Sequence, residues 1–363
     1  MAKNFFDEPF DDETKIKLNV YRAYLREWLP VWIKDTRLKI NIFDFFAGRG
    51  CDSIDTSGSP LIAIEEAQFF SEDIKTEHLV VKLLFNELNK RNYEALKKLI
   101  EPKQAFVPFK IEVCRKDFKQ LFSERIAELK NSANLLFIDQ FGIKQVTPDI
   151  FKSITALKQT DFIFFISSSF IRRFKAHESF KRYLDTTRMN LDESQPLVVH
   201  RVVLDYYRSL IPTGMEYYLA PFSIKKGSNI YGLIFGSGHS YGIEKFLKVC
   251  WKMDSKTGEA NFDIDSDKID VRTPSLFAEM NVPKKLTIFH ADLKKAILEK
   301  KVLTNRGAYL YGLNYGVLPK HVNEVLKKLE SEKLISFTFR TQSERIHKII
   351  EPESIKILHN GRI

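Results

Sequence analysis

Two glycines follow an apolar run near the start of the chain, in the sequence KINIFDFFAGRG from Lys39 to Gly50. Because Gly48 and Gly50 lack Cβ atoms, the backbone around them can approach a nucleotide closely and offer amide groups to its polar atoms. A GxG pair alone is a weak indication of a nucleotide site. Its place directly after a strand-like run predicts a nucleotide-binding turn that also includes Phe46 and Ala47.

Acidic residues follow the next two strand-like runs. Glu87 comes after the second run, where a carboxylate can accept hydrogen bonds from both hydroxyls of a ribose. Asp117 comes after the third run, where it could accept a hydrogen bond from the amino group of adenine while Phe118 packs nearby. Each acid could instead cap a helix or be a solvated loop charge. The order of these features along the chain favours an adenosine-containing ligand.

Strand-like runs alternate with helical stretches such as Asn89–Ile100 and Lys116–Lys130, which is typical of a parallel sheet with crossover helices. A longer helical region is predicted over Phe170–Ile211. Two later runs joined by a short turn at Gly227 predict an antiparallel hairpin. The five early runs and the two hairpin runs are Ile40–Phe45, Leu79–Phe85, Phe109–Val113, Leu135–Ile138, Phe162–Ser167, Tyr217–Ile224 and Ile230–Phe235.

An amphipathic helix precedes the first run. Its large apolar residues recur at steps of three and four, which places them on one helix face. They are Leu18, Tyr21, Leu25, Trp28 and Trp32. We therefore expect residues 1–37 to form a helical segment packed on an α/β domain at 38–255.

The segment FDFFAGRG resembles the first-strand motif of class I S-adenosylmethionine-dependent methyltransferases. Together with GSPLIAIEEA at Gly58–Ala67 and LLFIDQFGIKQV at Leu135–Val146, it is more specifically similar to the three-Cys-motif partner protein (TcmP) family. The resemblance covers roughly Leu18 to Asp254. It implies a Rossmann-like methyltransferase-type mixed sheet with flanking helices, which ends in an antiparallel hairpin where a dinucleotide dehydrogenase would continue with another βα unit.

The same resemblance implies S-adenosylmethionine as the cofactor. The residues expected to bind it are Asp44, Phe46, Ala47, Gly48, Gly50, Glu87 and Asp117. Asp44 would face the methionine amino group or brace the glycine turn. The family name also points to a separate three-Cys-motif protein as a partner. The chain's own Cys51, Cys114 and Cys250 are isolated and are not that motif.

The fourth run is followed by Asp139-Gln140-Phe141-Gly142. In nucleic-acid amino-group methyltransferases this position carries an Asp or Asn, two prolines and an aromatic residue, which hold the target amine and stack on the flipped base. Asp139 and Phe141 are the matching candidate catalytic residues. Both prolines are missing and Gln140 departs from the family's Asp-Pro-Phe-Gly pattern, so Asp139 could instead cap a helix or contact the cofactor.

The C-terminal part reads as three helices and two strand-like runs, Leu334–Phe339 and Arg345–Ile350, the order of a winged helix. We expect this domain at 286–363, after a linker or insertion at 256–285. From His290 onward it carries 14 Lys and Arg against 8 Asp and Glu, a net charge of +6. This balance favours nucleic acid over protein docking or a merely solvated surface. We expect DNA rather than RNA. The candidate contacts are Lys320, His321, Asn323, Lys327, Arg340 and Arg345.

The composition excludes several classes of protein. No apolar stretch reaches the roughly 18 residues of a membrane span, and the acidic N-terminus lacks a signal-peptide pattern. The scattered cysteines and histidines show no metal-ligand spacing. We therefore expect a cytoplasmic protein without a metal site. The leading hypothesis is a methyltransferase that acts on or with nucleic acid, and the alternative is a catalytically silent DNA- or RNA-binding partner of a three-Cys-motif protein.

Overall fold

The chain divides into two compact units, Met1–Val249 and Cys250–Ile363. The predicted linker at 256–285 falls in the second unit, where Thr257, Glu259 and Ile264 are buried. A computed structural model describes residues 5–34, 39–140, 142, 144–174, 189, 196–269, 281–339, 346–348 and 351–358.

The first unit is built on a seven-stranded sheet. Its strands are β1 Lys39–Asp44, β2 Val81–Asn86, β3 Lys110–Cys114, β4 Ser132–Ile138, β5 Thr160–Ile166, β6 Tyr218–Lys226 and β7 Asn229–Ser237. Their order is β3-β2-β1-β4-β5-β7-β6. Strands β1 to β5 are parallel, whereas β7 pairs antiparallel with both β5 and β6. This is the class I methyltransferase fold, and it confirms the five predicted runs and the closing hairpin.

Helices flank the sheet and begin at sequence-encoded caps. The Asp11 side chain accepts from the Thr14 N–H at 2.8 Å, and Asn89 and Asp117 cap later helices in the same way. The predicted helix over 170–211 appears at its two ends, while its middle lies outside the described residues. The helices are α1 Asp12–Ile33, α2 Ser59–Gln68, α3 Ser71–Thr76, α4 Lys90–Ile100, α5 Phe118–Leu129, α6 Pro148–Thr155, α7 Ser168–Phe174, α8 Val199–Ser209 and α9 Ser240–Met253.

Helix α1 packs its aromatic face on the sheet. Tyr21 stacks on Phe137 of β4 with ring centroids 4.3 Å apart. The Tyr24 hydroxyl donates to Asp161 of β5 at 2.6 Å, and Trp28 is also buried. The predicted amphipathic face is therefore the packed face, and it fixes the start of α1 beside the carboxyl ends of the central strands.

The second unit contains a winged helix. Helices α10 Lys284–Leu298, α11 Asn305–Tyr315 and α12 Pro319–Ser331 precede a short strand, β8 Ile335–Ser336. Gly316, with φ of +81°, ends α11 and allows the tight turn into α12. The predicted second wing strand at 345–350 is wrong: 346–348 is a 3₁₀ turn, and β8 pairs instead with β9 Lys356–Ile357.

Asp161 makes folding pH-dependent. Burial raises the pKa of its carboxyl from 3.8 to about 6, so the folded protein holds this proton more tightly than the unfolded chain does. The resulting stability is complete below pH 3.8 and is lost as the pH rises through 6, up to about 3 kcal/mol. We expect Asp161→Asn, which keeps an oxygen for Tyr24, to gain stability relative to wild type between pH 4 and 8 in urea unfolding. Exposed Asp205→Asn is the control, and parallel pH profiles for Asp161→Asn and wild type would contradict the assignment.

Candidate cofactor and acceptor site

A cavity of about 1090 Å³ opens at the carboxyl edge of the parallel strands. The register pairs Asp44 of β1 with Phe85 of β2 and with Phe137 of β4, so the loops after these strands meet at one edge. Most of the predicted site residues line this cavity together, namely Phe46, Ala47, Gly48, Gly50, Glu87, Asp117 and Asp139. Phe141 lies outside the described residues, so its stacking role remains a prediction.

The turn after β1 requires its glycines. Gly48 has φ of +62° and Gly50 has φ of +93°, in the left-handed region that side chains disfavour. A Cβ at Gly48 would lie 2.1 Å from the Phe6 ring, and one at Gly50 would lie 2.7 Å from Leu99. The turn therefore has a conformation and close neighbours that a side chain at either glycine would disturb, and it lines the cavity.

Glu87 and Asp117 occupy two neighbouring loops of the cavity wall. Glu87 is half-buried, and its carboxylate accepts from the Asn89 N–H at 2.6 Å. Burial raises the pKa of Glu87, against the opposing effect of backbone N–H groups that include Gly48. Asp117 accepts from the Lys119 N–H at 2.9 Å, so the helix-cap alternative describes its local structure while it also borders the cavity.

Asn86, which the sequence analysis missed, joins three of these loops. Its Nδ2 donates to the carbonyls of Phe45 (3.2 Å) and Lys116 (3.0 Å), and its Oδ1 accepts from the Lys116 N–H (3.0 Å). A buried amide that bonds two loops fixes their separation. An Asn at the end of an apolar strand was the available indication.

Asp44 lies beneath the turn and is fully buried. Its Oδ1 accepts from the Phe46 N–H at 3.0 Å. Burial raises the pKa of Asp44 to about 7, and interactions with the Ser59 hydroxyl and the Phe46 N–H oppose this rise. The hydrogen bond to Phe46 is the turn-bracing geometry that the sequence analysis considered.

The opposite side of the cavity contains an ion pair between Lys17 of α1 and Asp139. Lys17 is 9% exposed, and its Nζ lies 4.8 Å from the centroid of the Phe165 ring. Sequence reasoning missed Lys17. The available indication was its position four residues before Tyr21, which makes it the one charge in an otherwise aromatic stripe.

Gln140 follows Asp139 and is 1% exposed. Its Oε1 accepts from the N–H groups of Gln145 (2.9 Å) and Val146 (3.4 Å), which holds the loop after β4. Because two N–H donors identify the oxygen, the other amide atom is Nε2. That atom is buried without a hydrogen-bond partner in the described residues.

The N-terminal segment before α1 covers the glycine turn. Phe6 lies over Gly48, and both line the cavity. Asp7 pairs with Arg49 at 3.1 Å and with Arg91 at 3.2 Å. The Phe10 N–H, a few residues on, donates to Asp52 at 2.7 Å. The sequence analysis predicted a packed helical segment over 1–37 but not this contact with the glycine turn.

The predicted nucleic-acid face of the second unit is partly formed. Lys320 and Lys327 are exposed on α12, and Asn323 is half-buried. His321 does not lie on that face: it is 3% exposed, and its Nδ1 accepts from the Leu318 N–H at 3.2 Å. Burial lowers the pKa of His321 to about 3, which keeps the ring neutral. Arg340 and Arg345 lie outside the described residues.

Two features, a metal-binding cluster and a membrane-spanning helix, are not found in the described part of the chain. It holds no group of three or more His, Cys, Asp or Glu side chains placed to bind a metal ion. None of its helices combines the length and apolar character that crossing a bilayer requires.

Comparisons with known proteins agree with this description. Residues 263–341 match the family model of the GMT-like wHTH domain, which is a winged helix. No curated protein matches the chain.

Solved structures similar to the chain include several methyltransferases. A putative methyltransferase, yhhF, from Escherichia coli is 12% identical over 59% of this chain and 86% of its own, with a TM-score of 0.29. A putative caffeoyl-CoA O-methyltransferase from Staphylococcus aureus is 14% identical over 58% and 81%, with a TM-score of 0.28. The N-terminal domain of human METTL16, in complex with SAH, is 10% identical over 59% and 70%, with a TM-score of 0.27. Similarities this low add nothing to the fold that the strand order shows and do not indicate a substrate.

The contact of Phe6 with Gly48 can be measured by a double-mutant cycle. Gly48→Ala carries the backbone cost of a positive φ, about 1–2 kcal/mol, and also displaces the Phe6 ring. Gly214→Ala is the matched control, since its φ is +83° and nothing lies within 4 Å of the added Cβ. In urea unfolding we expect Gly48→Ala to lose more stability than Gly214→Ala, and Phe6→Ala to remove the excess. Additive effects of Gly48→Ala and Phe6→Ala would show that the two residues do not interact.

Proposed function

We propose that the protein is an S-adenosylmethionine-dependent methyltransferase that acts on nucleic acid, with DNA the expected substrate. One observation carries the proposal: a glycine turn, Glu87, Asp117 and Asp139 follow β1 to β4 in turn and line one cavity. Ligands of open α/β sheets bind at this edge. The cavity, at about 1090 Å³, exceeds the need of the cofactor alone and leaves room for an acceptor group.

The residues at the first three strand ends fit an adenosine-containing cofactor. The backbone of the turn from Phe46 to Gly50 would lie along it, Glu87 would accept from the ribose hydroxyls, and Asp117 beside Phe118 would border the adenine. Asp44 braces the turn from below through its hydrogen bond with the Phe46 N–H. When bound, S-adenosylmethionine supplies a methyl group on a sulfonium centre. The chain's own contribution is to hold the acceptor in line and to exclude water.

The residues after β4 and on α1 would form the acceptor side. Asp139 borders the cavity with Lys17 as its ion-pair partner, which keeps the carboxylate in one position. Lys320 and Lys327 on α12 would contact phosphates and bring the chain to DNA. The predicted domain boundaries and the predicted contacts at Asn323, Arg340 and Arg345 belong to this proposal.

A second candidate is a catalytically silent nucleic-acid-binding protein that works beside a three-Cys-motif protein. The observation that favours it is the ion pair of Asp139 with Lys17, together with Gln140 in place of proline. An Asp139 carboxylate bound to Lys17 is a weaker acceptor for a target amine than a free carboxylate. Binding of the cofactor without methyl transfer to any DNA or RNA would identify this candidate.

Calorimetry with S-adenosylmethionine tests the first step of the proposal. We expect measurable binding by the full chain and at least a tenfold loss of affinity in Glu87→Ala, because two hydrogen bonds to a charged acceptor are removed. Exposed Glu72→Ala, on α3, is the matched control. The absence of binding heat at high protein concentration would reject the enzyme proposal.

The role of α12 is tested by the salt dependence of DNA binding. We expect Lys320→Ala and Lys327→Ala each to weaken duplex binding and to reduce the slope of log K against log salt by about 1, because each removes one phosphate contact. Exposed Lys295→Ala, on α10, is the control for net charge. Equal effects of all three substitutions would show that the helix face makes no specific contact.

A further inference from the structure

The chain's own N-terminal segment occupies one side of the glycine turn. The Phe6 ring packs on Gly48, where a Cβ atom would lie 2.1 Å from it. Because a ring atom that close to the Cβ position is in van der Waals contact with the glycine itself, no ligand atom fits between them on that side. Positive φ does not require such a neighbour, since Gly142, Gly214 and Gly227 also have positive φ and nothing within 4 Å of the Cβ position. A glycine turn offers this close approach to a ligand, and here an aromatic side chain takes it.

The segment that carries Phe6 joins α1 through a buried anchor. We call residues 6–9 the strap. Phe10, directly after it, is 4% exposed, and its N–H donates to the side chain of Asp52 at 2.7 Å. Asp52 is itself 1% exposed. The carboxyl end of the strap is therefore fixed by contacts that are shielded from water.

The Phe6 end of the strap is held by surface ion pairs. Asp7 pairs with Arg49 at 3.1 Å and with Arg91 at 3.2 Å. Asp7 and Arg91 are exposed, and Arg49 is half-buried. Ion pairs in contact with water contribute little to stability. The strap can therefore open at Phe6 while its anchor at the start of α1 stays in place.

Glu87, the acid that the proposed function assigns to the ribose, is engaged by the chain as well. Its carboxylate accepts from the Asn89 N–H at 2.6 Å and interacts with the N–H of Gly48. The amide of Gly48 and its Cβ side are thus both occupied, by Glu87 and by Phe6. With the strap closed, the turn makes to its own chain the contacts that a cofactor would use.

We infer that the strap is an autoinhibitory element, whose Phe6 ring must leave Gly48 before S-adenosylmethionine can lie along the turn. This inference rests on the proposed function and gives the regulation of the same site. The measured affinity for the cofactor is then reduced by the fraction of molecules in which the strap is closed. A change that releases the strap raises this affinity without adding any contact to the cofactor.

Calorimetry with S-adenosylhomocysteine tests the inference on the full chain. We expect Phe6→Ala to bind about tenfold more tightly than wild type, because the burial free energy of a half-buried phenyl ring no longer opposes opening. Asp7→Asn keeps the size of the side chain but removes its charge, and it should bind about threefold more tightly because its ion pairs are lost. Asp12→Asn is the matched control, since that carboxylate is 91% exposed, and it should leave the affinity unchanged.

Two calorimetric results would overturn the inference. Equal affinities in wild type, Phe6→Ala and Asp7→Asn would show that the strap does not compete with the ligand. Weaker binding by Phe6→Ala would show that the ring packs on the bound ligand as a lid. Thermal melting checks that each variant folds.

The salt dependence of the same binding tests the ion pairs of Asp7. S-adenosylhomocysteine carries no net charge near neutral pH, so added salt screens the ion pairs of the strap more than the attraction between ligand and chain. We expect the affinity of wild type to rise with potassium chloride by more than the affinity of Asp7→Asn does. Parallel salt dependences of the two proteins would overturn the role of Asp7.

Hydrogen exchange reports directly on the position of the strap. We expect the amides of residues 6–9 to exchange faster when S-adenosylhomocysteine is bound, while the Phe10 amide, which bonds to Asp52, stays protected. Slower exchange of residues 6–9 in the complex would identify a lid and overturn the inference.

The outcomes separate this inference from the proposed function. Binding of S-adenosylhomocysteine by wild type without a gain in Phe6→Ala or Asp7→Asn would reject the autoinhibitory strap and leave the methyltransferase proposal standing. A gain in both variants together with faster exchange of the strap would support both. Absence of binding by wild type and by both variants would reject the cofactor site, and the strap inference with it.

Discussion

The packing of α1 across the sheet is the interaction on which the rest of the first unit depends. Tyr21 on Phe137 and Tyr24 on Asp161 fix the helix over β4 and β5. Because a helix is rigid, this anchoring also fixes Lys17, one turn earlier, beside Asp139. The segment before α1 then reaches back to the glycine turn through Phe6. Helix α1 and the segment before it thus place Lys17 on one wall of the cavity and Phe6 over the glycine turn.

Near the cavity, the burial of polar groups costs the first unit folding free energy. Asp44 is fully buried beneath the glycine turn, and the buried Nε2 of Gln140 has no hydrogen-bond partner among the described residues. Burial raises the pKa of Asp44 to about 7, so ionisation of this carboxyl above that pH costs folding free energy. By contrast, the buried Glu66 away from the cavity is fully paired with Arg22 and Arg26. A carboxyl whose pKa is raised by burial next to a cavity is a feature that many ligand-binding sites share.

Sequence patterns predicted the elements of this fold well because strands buried on both faces are strongly apolar and their order constrains the topology. The glycine turn and the acids after β2 to β4 were predictable for the same reason, since strand ends can be read from the apolar runs. Lys17, Asn86 and Gln140 could not be predicted, because their roles depend on contacts between distant loops. His321 was predicted on the exposed face but is buried. Helical spacing gives the direction of a side chain around α12, whereas the packing of Trp251 against His321, with ring centroids 4.4 Å apart, buries this residue.

Under the proposed function, the two units contribute differently to the recognition of nucleic acid. The exposed face of α12 carries Lys320 and Lys327 but also Glu324, so its charge is modest. Such a face can position a chain on phosphates, whereas discrimination among bases needs contacts to their edges. The first unit contains an aromatic pair, Phe165 and Tyr231, on the wall of its cavity. Under the proposed function, the winged helix would therefore supply affinity for the phosphates of a strand, and any choice among bases would depend on contacts made in the cavity of the first unit.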